Sequence, residues 1–200
     1  MKRATIIITF LILASSLVPA QGNTYVNAGI GIPFKPDDFS KLWKTGFGVG
    51  GGLDIPIVDW IDFTAGIDYN SFSLNEKKFI ESQGWSSAEV EVAGGTVSVL
   101  TVMAGAKVKL ISIPKKFSAY VSGTVGYLNF STEDLGVRGS SVAGTLASNE
   151  ESAFSAAAGG GVEMPFTKDL TLYLEGRYVL GTVEDRTFYL PIRLGLKVSF

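Results

Sequence analysis

Apolar and non-apolar residues alternate along most of this chain with a period of two. Over 26–32, Val26, Ala28, Ile30 and Ile32 take turns with Asn27, Gly29 and Gly31. That period belongs to an extended strand whose two faces meet different surroundings. Seven further segments repeat it: 46–55, 61–70, 100–110, 117–127, 154–164, 170–180 and 188–200. In each, one face carries valine, leucine, isoleucine, alanine or an aromatic ring, and the other carries glycine, small polar or charged residues. The first is short, but the others, at about 9 to 13 residues, have the length of a tilted strand that crosses a bilayer.

The connections alternate too. Those near 56–60, 111–116 and 165–169 are short and marked by Pro56, Pro114 and Pro165. Those at 33–44, 71–96, 129–152 and 181–187 are mostly longer and polar. Three short turns and four longer loops are what eight up-and-down strands require when both termini lie on one side. The fold class expected is therefore all-β: a transmembrane, antiparallel, up-and-down β-barrel of eight strands.

A soluble barrel of the lipocalin kind would show the same alternation with its apolar face inside. The opposite face argues against it. Glycine, frequent there, weakens a solvated strand, but in a narrow lumen it makes room for Arg177, Arg193, Tyr120 and Tyr173. The same face carries Asp54 together with a candidate lumenal charge network of Asp62, Asp68, Lys107, Lys109, Glu163, Glu175, Arg177, Arg193 and Lys197. Acids and bases are balanced, as enclosed charges must be. Aromatics gather at the strand ends, with Trp60, Phe117 and Phe200 on one side and Tyr69, Tyr127, Phe154, Tyr178 and Phe188 on the other. Two such rings are the girdles of a membrane barrel. If residues 180 and 188 face each other across the last outer loop, Glu175 lies opposite Arg193 and Leu174 opposite Leu194. A lumenal salt bridge Glu175–Arg193, shared with Arg177, is then expected.

Composition changes the picture at the N-terminus. Lys2 and Arg3 precede an apolar stretch from Ala4 to Leu13, and Val18-Pro19-Ala20 ends in a small residue. This is the pattern of a cleavable signal peptide over 1–20, which leaves 21–200 as the barrel domain. An anchoring helix would need a longer apolar run. Without the leader, 17 basic residues become 15 against 19 acidic ones, so the net charge moves from −2 to −4. No basic cluster remains, and nucleic acid is not an expected partner. The absence of cysteine excludes a lipid-anchored lipoprotein and any disulfide framework.

The C-terminal segment Tyr189-Leu-Pro-Ile-Arg-Leu-Gly-Leu-Lys-Val-Ser-Phe200 resembles the last strand of outer-membrane barrel proteins. Leu170-Thr-Leu-Tyr-Leu-Glu-Gly-Arg-Tyr178 is similar to the penultimate strand of small OmpA/OmpX-like barrels. The resemblance implies residence in the bacterial outer membrane, contact with lipid and lipopolysaccharide, and insertion by the barrel-assembly machinery. Phe200, Val198, Leu196 and Leu194 would be the assembly signal. Unlike in full-length OmpA proteins, no peptidoglycan-binding segment is expected after Phe200.

Function is less legible than fold. An eight-stranded barrel has an interior that side chains can fill, so a general porin is not expected. The leading expectation is a surface or structural component whose outer loops contact an extracellular protein, and the alternative is a narrow conduit for water or small solutes. Ala88-Glu-Val-Glu-Val92, before Gly94-Gly95, suggests a protruding strand edge, with Phe72 and Leu74 on the other side of the same loop. Trp43 and Trp85 are candidate loop contacts. The chain has no histidine and no cysteine, so neither a Ser-His nor a Cys-His pair can be built and no N/S zinc site exists. No enzyme, no cofactor and no metal is expected. Asp37-Asp38 and Glu150-Glu151 are adjacent acids in loops, a weak signal for calcium.

Overall fold

The computed structural model describes residues 22–34, 39–85, 90–113, 116–139, 143–182 and 187–199. The leader over 1–20, Asp37, Asp38, Ala88, Glu89, Pro114 and Phe200 lie outside the described residues.

Strands of alternating pattern become strands here because each has a lipid-facing apolar row and a row suited to a confined interior. Eight of them close into one barrel: β1 (Asn23–Pro33), β2 (Gly46–Val58), β3 (Ile61–Ser73), β5 (Thr96–Ile113), β6 (Phe117–Thr132), β9 (Asn149–Pro165), β10 (Leu170–Gly181) and β11 (Thr187–Ser199). Chain neighbours pair antiparallel all the way round, and β1 closes on β11 from Asn23↔Ser199 to Pro33↔Tyr189. Three shorter strands, β4 (Val90–Gly94), β7 (Leu135–Gly139) and β8 (Ala143–Leu146), form a separate sheet in the order β4–β7–β8.

The last hairpin has the expected register, with Leu180↔Phe188, Glu175↔Arg193 and Leu174↔Leu194. Its ladder skips from Gly176↔Ile192 to Val179↔Tyr189. Pro191 lies in that gap, and it has no N–H to donate. Two of the short turns carry bulges, between Pro56 and Val58 and between Lys109 and Ile111.

The strands beside the long loops run further than the sequence pattern places them. β3 continues to Ser73, β5 starts at Thr96, β6 runs to Thr132 and β9 starts at Asn149. With 18, 16 and 17 residues, β5, β6 and β9 exceed the roughly 9–11 that a tilted span requires. Their outer ends therefore stand clear of the bilayer.

The outward rows are open to the surroundings. Val26, Ile30, Val49, Val102, Val125, Leu174 and Leu194 are all exposed, and so are the aromatic rings of Trp60, Tyr127 and Phe154. Phe166 extends the inner ring and Phe47 the outer one. Phe34, Tyr178 and Phe188 form a run of ring contacts at the outer rim, with centroids 5.5 and 5.7 Å apart. The orientation expected from glycine and charge placement holds: grease faces out and polar groups face in.

Leu174 is 49% exposed on this outer wall, between Val162 and Leu194. Leu174→Arg is expected to destabilise the folded barrel by about 2–4 kcal/mol. Reversible urea unfolding of the protein inserted in lipid vesicles measures it.

Candidate functional site

The lumen is built in layers. Toward the short-turn end, Asp54 on β2, Lys107 on β5, Glu163 on β9 and Lys197 on β11 meet in one cluster. Lys107 Nζ lies 2.6 Å from Asp54 Oδ2 and 3.2 Å from Glu163 Oε1. Lys197 Nζ lies 2.6 Å from Asp54 and 2.5 Å from Glu163. Two acids and two bases thus neutralise each other across the bore, with Asp54 at 0% exposure. Beside them Lys109 Nζ meets Asp62 Oδ1 at 2.9 Å.

At mid-height Arg193 Nη1 donates to Asp68 Oδ2 at 2.9 Å. Arg177 reaches back two residues along its own strand to Glu175, with Nη2 donating to Oε2 at 3.2 Å. The Tyr120 hydroxyl donates to the same Oε2 at 2.9 Å, and Lys107 Nζ sits 4.4 Å above the Tyr120 ring. Tyr25 and Tyr173 meet edge to face at 5.9 Å. All ten charged residues of the inward face therefore find a partner of opposite sign.

One expected pair is corrected. Glu175 and Arg193 are ladder partners, yet they do not form the salt bridge: Glu175 takes Arg177, and Arg193 crosses to Asp68 on β3. The reason lies in the strands between. Arg193 is opposite Gly29, Gly29 is opposite Gly48, and Gly50 is opposite Asp68. Without side chains at these positions, the long guanidinium has a clear path over β1 and β2. Inward glycine makes room elsewhere too. A methyl at Gly195 would strike the Tyr173 ring and the Val26 carbonyl, and one at Gly161 would strike the Tyr120 ring.

The outer half of the bore is apolar, which the alternation did not indicate. Phe72, Val97, Val99, Met103, Leu128, Ala157, Val179 and Tyr189 pack into one buried cluster, with Phe72 and Tyr189 5.6 Å apart. The signal was present in Phe72, Val97, Val99 and Leu128, but they fall beyond the segments read as strands.

Above this plug the long loops fold into a cap. The helix Glu76–Ser82 starts at Asn75, whose side chain accepts from Lys78 N–H at 3.4 Å. Its Ile80 packs with Leu74, Val92, Leu135 and Val137 in a second buried cluster. β4, the strand foreshadowed by the Glu-Val alternation, pairs with β7 from the next loop, so one of its edges is already occupied. Gly94 and Gly95, with φ of 89° and 75°, turn the chain from β4 into β5, a left-handed pair that other residues rarely adopt. Trp43 and Trp85 are half-buried against the cap core, and Trp43 also touches the plug. The Trp43 bridge to Leu74 ties the first loop to the second.

Leu194, Leu196 and Val198 lie outward on β11. No metal-binding cluster of acids occurs among the described residues.

An apolar exterior, two aromatic rims and a self-neutralised interior define an integral outer-membrane β-barrel. The chain belongs to the outer membrane protein beta-barrel domain family, whose model matches residues 6–199, and its place is the bacterial outer membrane. No curated protein matches the sequence. Among solved structures, Neisserial surface protein A superposes with a TM-score of 0.60 at 11% identity, over 91% of this chain and 98% of that one. Ail, the attachment invasion locus protein of Yersinia pestis, in complex with the heparin analogue sucrose octasulfate, gives 0.51 at 16%, over 90% and 99%. The outer membrane protease OmpT from Escherichia coli gives 0.53 at 9%, over 92% and 98%. At such identities the likeness is one of fold.

Two measurements check the lumen. Arg193→Met alone should cost about 3–5 kcal/mol, because it strands Asp68 in the interior. In double-mutant cycles by urea unfolding, Asp68→Asn should be strongly coupled to it and Glu175→Gln only weakly. Gly195→Ala should cost about 1–3 kcal/mol by overpacking against Tyr173. Gly123→Ala, whose added methyl would meet open space, should leave the unfolding midpoint almost unchanged.

Proposed function

We propose that this protein is a surface and structural component of the outer membrane, working through its folded extracellular cap rather than through its bore. The observation that carries the reading is the closed lumen. Arg193 and Asp68 meet across it, the Asp54–Lys107–Glu163–Lys197 cluster ties four walls together, and the Phe72–Tyr189 layer lies above both. Opening a path would break several buried ion pairs at once, at a cost of several kcal/mol. The cap, by contrast, has its own helix, sheet and buried core, so it presents a defined shape for contact with an extracellular protein.

The same reading includes a leader over 1–20 that is removed on export. It also has Phe200, Val198, Leu196 and Leu194 read by the barrel-assembly machinery, and the outward face set among lipid and lipopolysaccharide. It assigns no catalysis: without histidine and cysteine the usual base and nucleophile pairs cannot form. Ail, a barrel of similar fold, has been solved in complex with the heparin analogue sucrose octasulfate, which supports a contact role for this one.

Planar-bilayer recording tests the reading against a narrow conduit. Purified protein, whose folding is verified by a mobility difference between unboiled and boiled samples, should give no steady conductance. Reproducible single-channel steps would overturn the surface role in favour of transport of small solutes.

A further inference from the structure

Among the described residues, the cap sheet has an edge that nothing covers. β7 is paired on both sides, so β4 and β8 are the edges of the small sheet. On the β4 side the helix Glu76–Ser82 lies against the sheet, with Ile80 and Val92 in one cluster. β8 pairs with β7 from Leu135↔Leu146 to Arg138↔Ala143, and among the described residues no strand pairs with its other side. All four of its residues are exposed. A bare edge offers unpaired N–H and C=O groups to any extended chain, and proteins commonly guard such edges with lysine, proline or a bulge. Ala143-Gly-Thr-Leu146 has none of these guards. Leu146, opposite the buried Leu135, carries the apolar face of the cap out to this edge.

The charge beside the edge is one-sided. Glu133 and Asp134 precede β7, and Glu150 and Glu151 lie near the start of β9, so the chain on both sides of the Leu146 end is acidic. Asp134 Oδ1 accepts the Ser148 N–H at 2.7 Å. Glu150 and Glu151 accept from the neutral amides of Asn129 and Asn149, at 3.1 and 2.7 Å. Arg138 stands at the opposite end of the pairing, level with Ala143.

We propose that the free edge of β8 takes an extended cationic segment of another protein as an added strand. Main-chain hydrogen bonds to Ala143–Leu146 would supply the register, and lysine or arginine side chains would meet Glu133, Asp134 and Glu150. The inference rests on the surface-contact reading above and names the chemistry of the partner. A second copy of this chain is a poorer occupant, because two paired caps would together carry eight of these carboxylates against two arginines.

The test uses the intact protein in nanodiscs and three short peptides. One alternates lysine and valine, the second is its analogue N-methylated on every amide, and the third alternates glutamate and valine. Hydrogen exchange read by mass spectrometry or NMR should slow at Gly144–Leu146 only with the first peptide. The combined change Glu133→Gln, Asp134→Asn, Glu150→Gln should weaken its binding about tenfold or more while the unboiled mobility stays that of a folded barrel. Equal binding of the N-methylated peptide would overturn the proposal, since charge alone would then suffice. Protection of the same amides by self-association without peptide would overturn it too, as would absence of protection with all three peptides. Bilayer silence combined with such a failure removes only this inference, whereas channel steps remove the surface reading beneath it.

Discussion

Hydrocarbon offers a backbone N–H or C=O no hydrogen-bond partner, so a strand inside it is tolerated only when both of its edges are paired. That constraint accounts for the closure of β1 on β11 along eleven successive positions. Departures from full pairing are few: Pro191 on β11 leaves rungs toward β10 unmade, and two bulges lie beside short turns. Once eight edges must meet, the circumference is set, and with it a bore that side chains can span. The length of Arg193 is enough to reach Asp68 only because the barrel is this narrow.

Closure then imposes electrical neutrality. Charged groups that line an enclosed bore cannot draw on bulk water, so each must be matched inside. The chain solves this with five acids and five bases distributed over β2, β3, β5, β9, β10 and β11. Glycine is the second half of the solution. Positions that would otherwise carry side chains are left empty so that arginine and tyrosine from neighbouring strands can lie across them, as at Gly29, Gly50, Gly161 and Gly195. The composition that looks weak for a strand is a packing requirement of the interior.

Outside the bilayer the constraint relaxes and the architecture changes. Loops that need not be paired in lipid nonetheless form a helix and a three-stranded sheet over a common core, with Trp43 joining that core to the plug of the barrel. Because water can solvate an unpaired strand there, β8 can keep an open edge that no strand in the membrane zone is allowed. The difference between closed wall and open cap separates the part of the molecule that holds it in place from the part free to make contacts.

The barrel itself was legible in the one-dimensional pattern. Period-two alternation in Val26–Ile32 and its seven counterparts, the alternating short and long connections, and the 180-to-188 pairing determined strand number, orientation and the last register, because lipid and lumen impose opposite demands on successive residues. What only the tertiary structure decided is who meets whom. The ladder places Glu175 against Arg193, but the choice of Asp68 for Arg193 depends on glycines of β1 and β2, far from Arg193 in the chain. The pairing of β4 with β7, and the burial of Phe72, Val97 and Leu128 as a plug, depend on loops far apart in the chain. Such contacts are set by reach and volume in three dimensions, and a local alternation of residues carries no record of either.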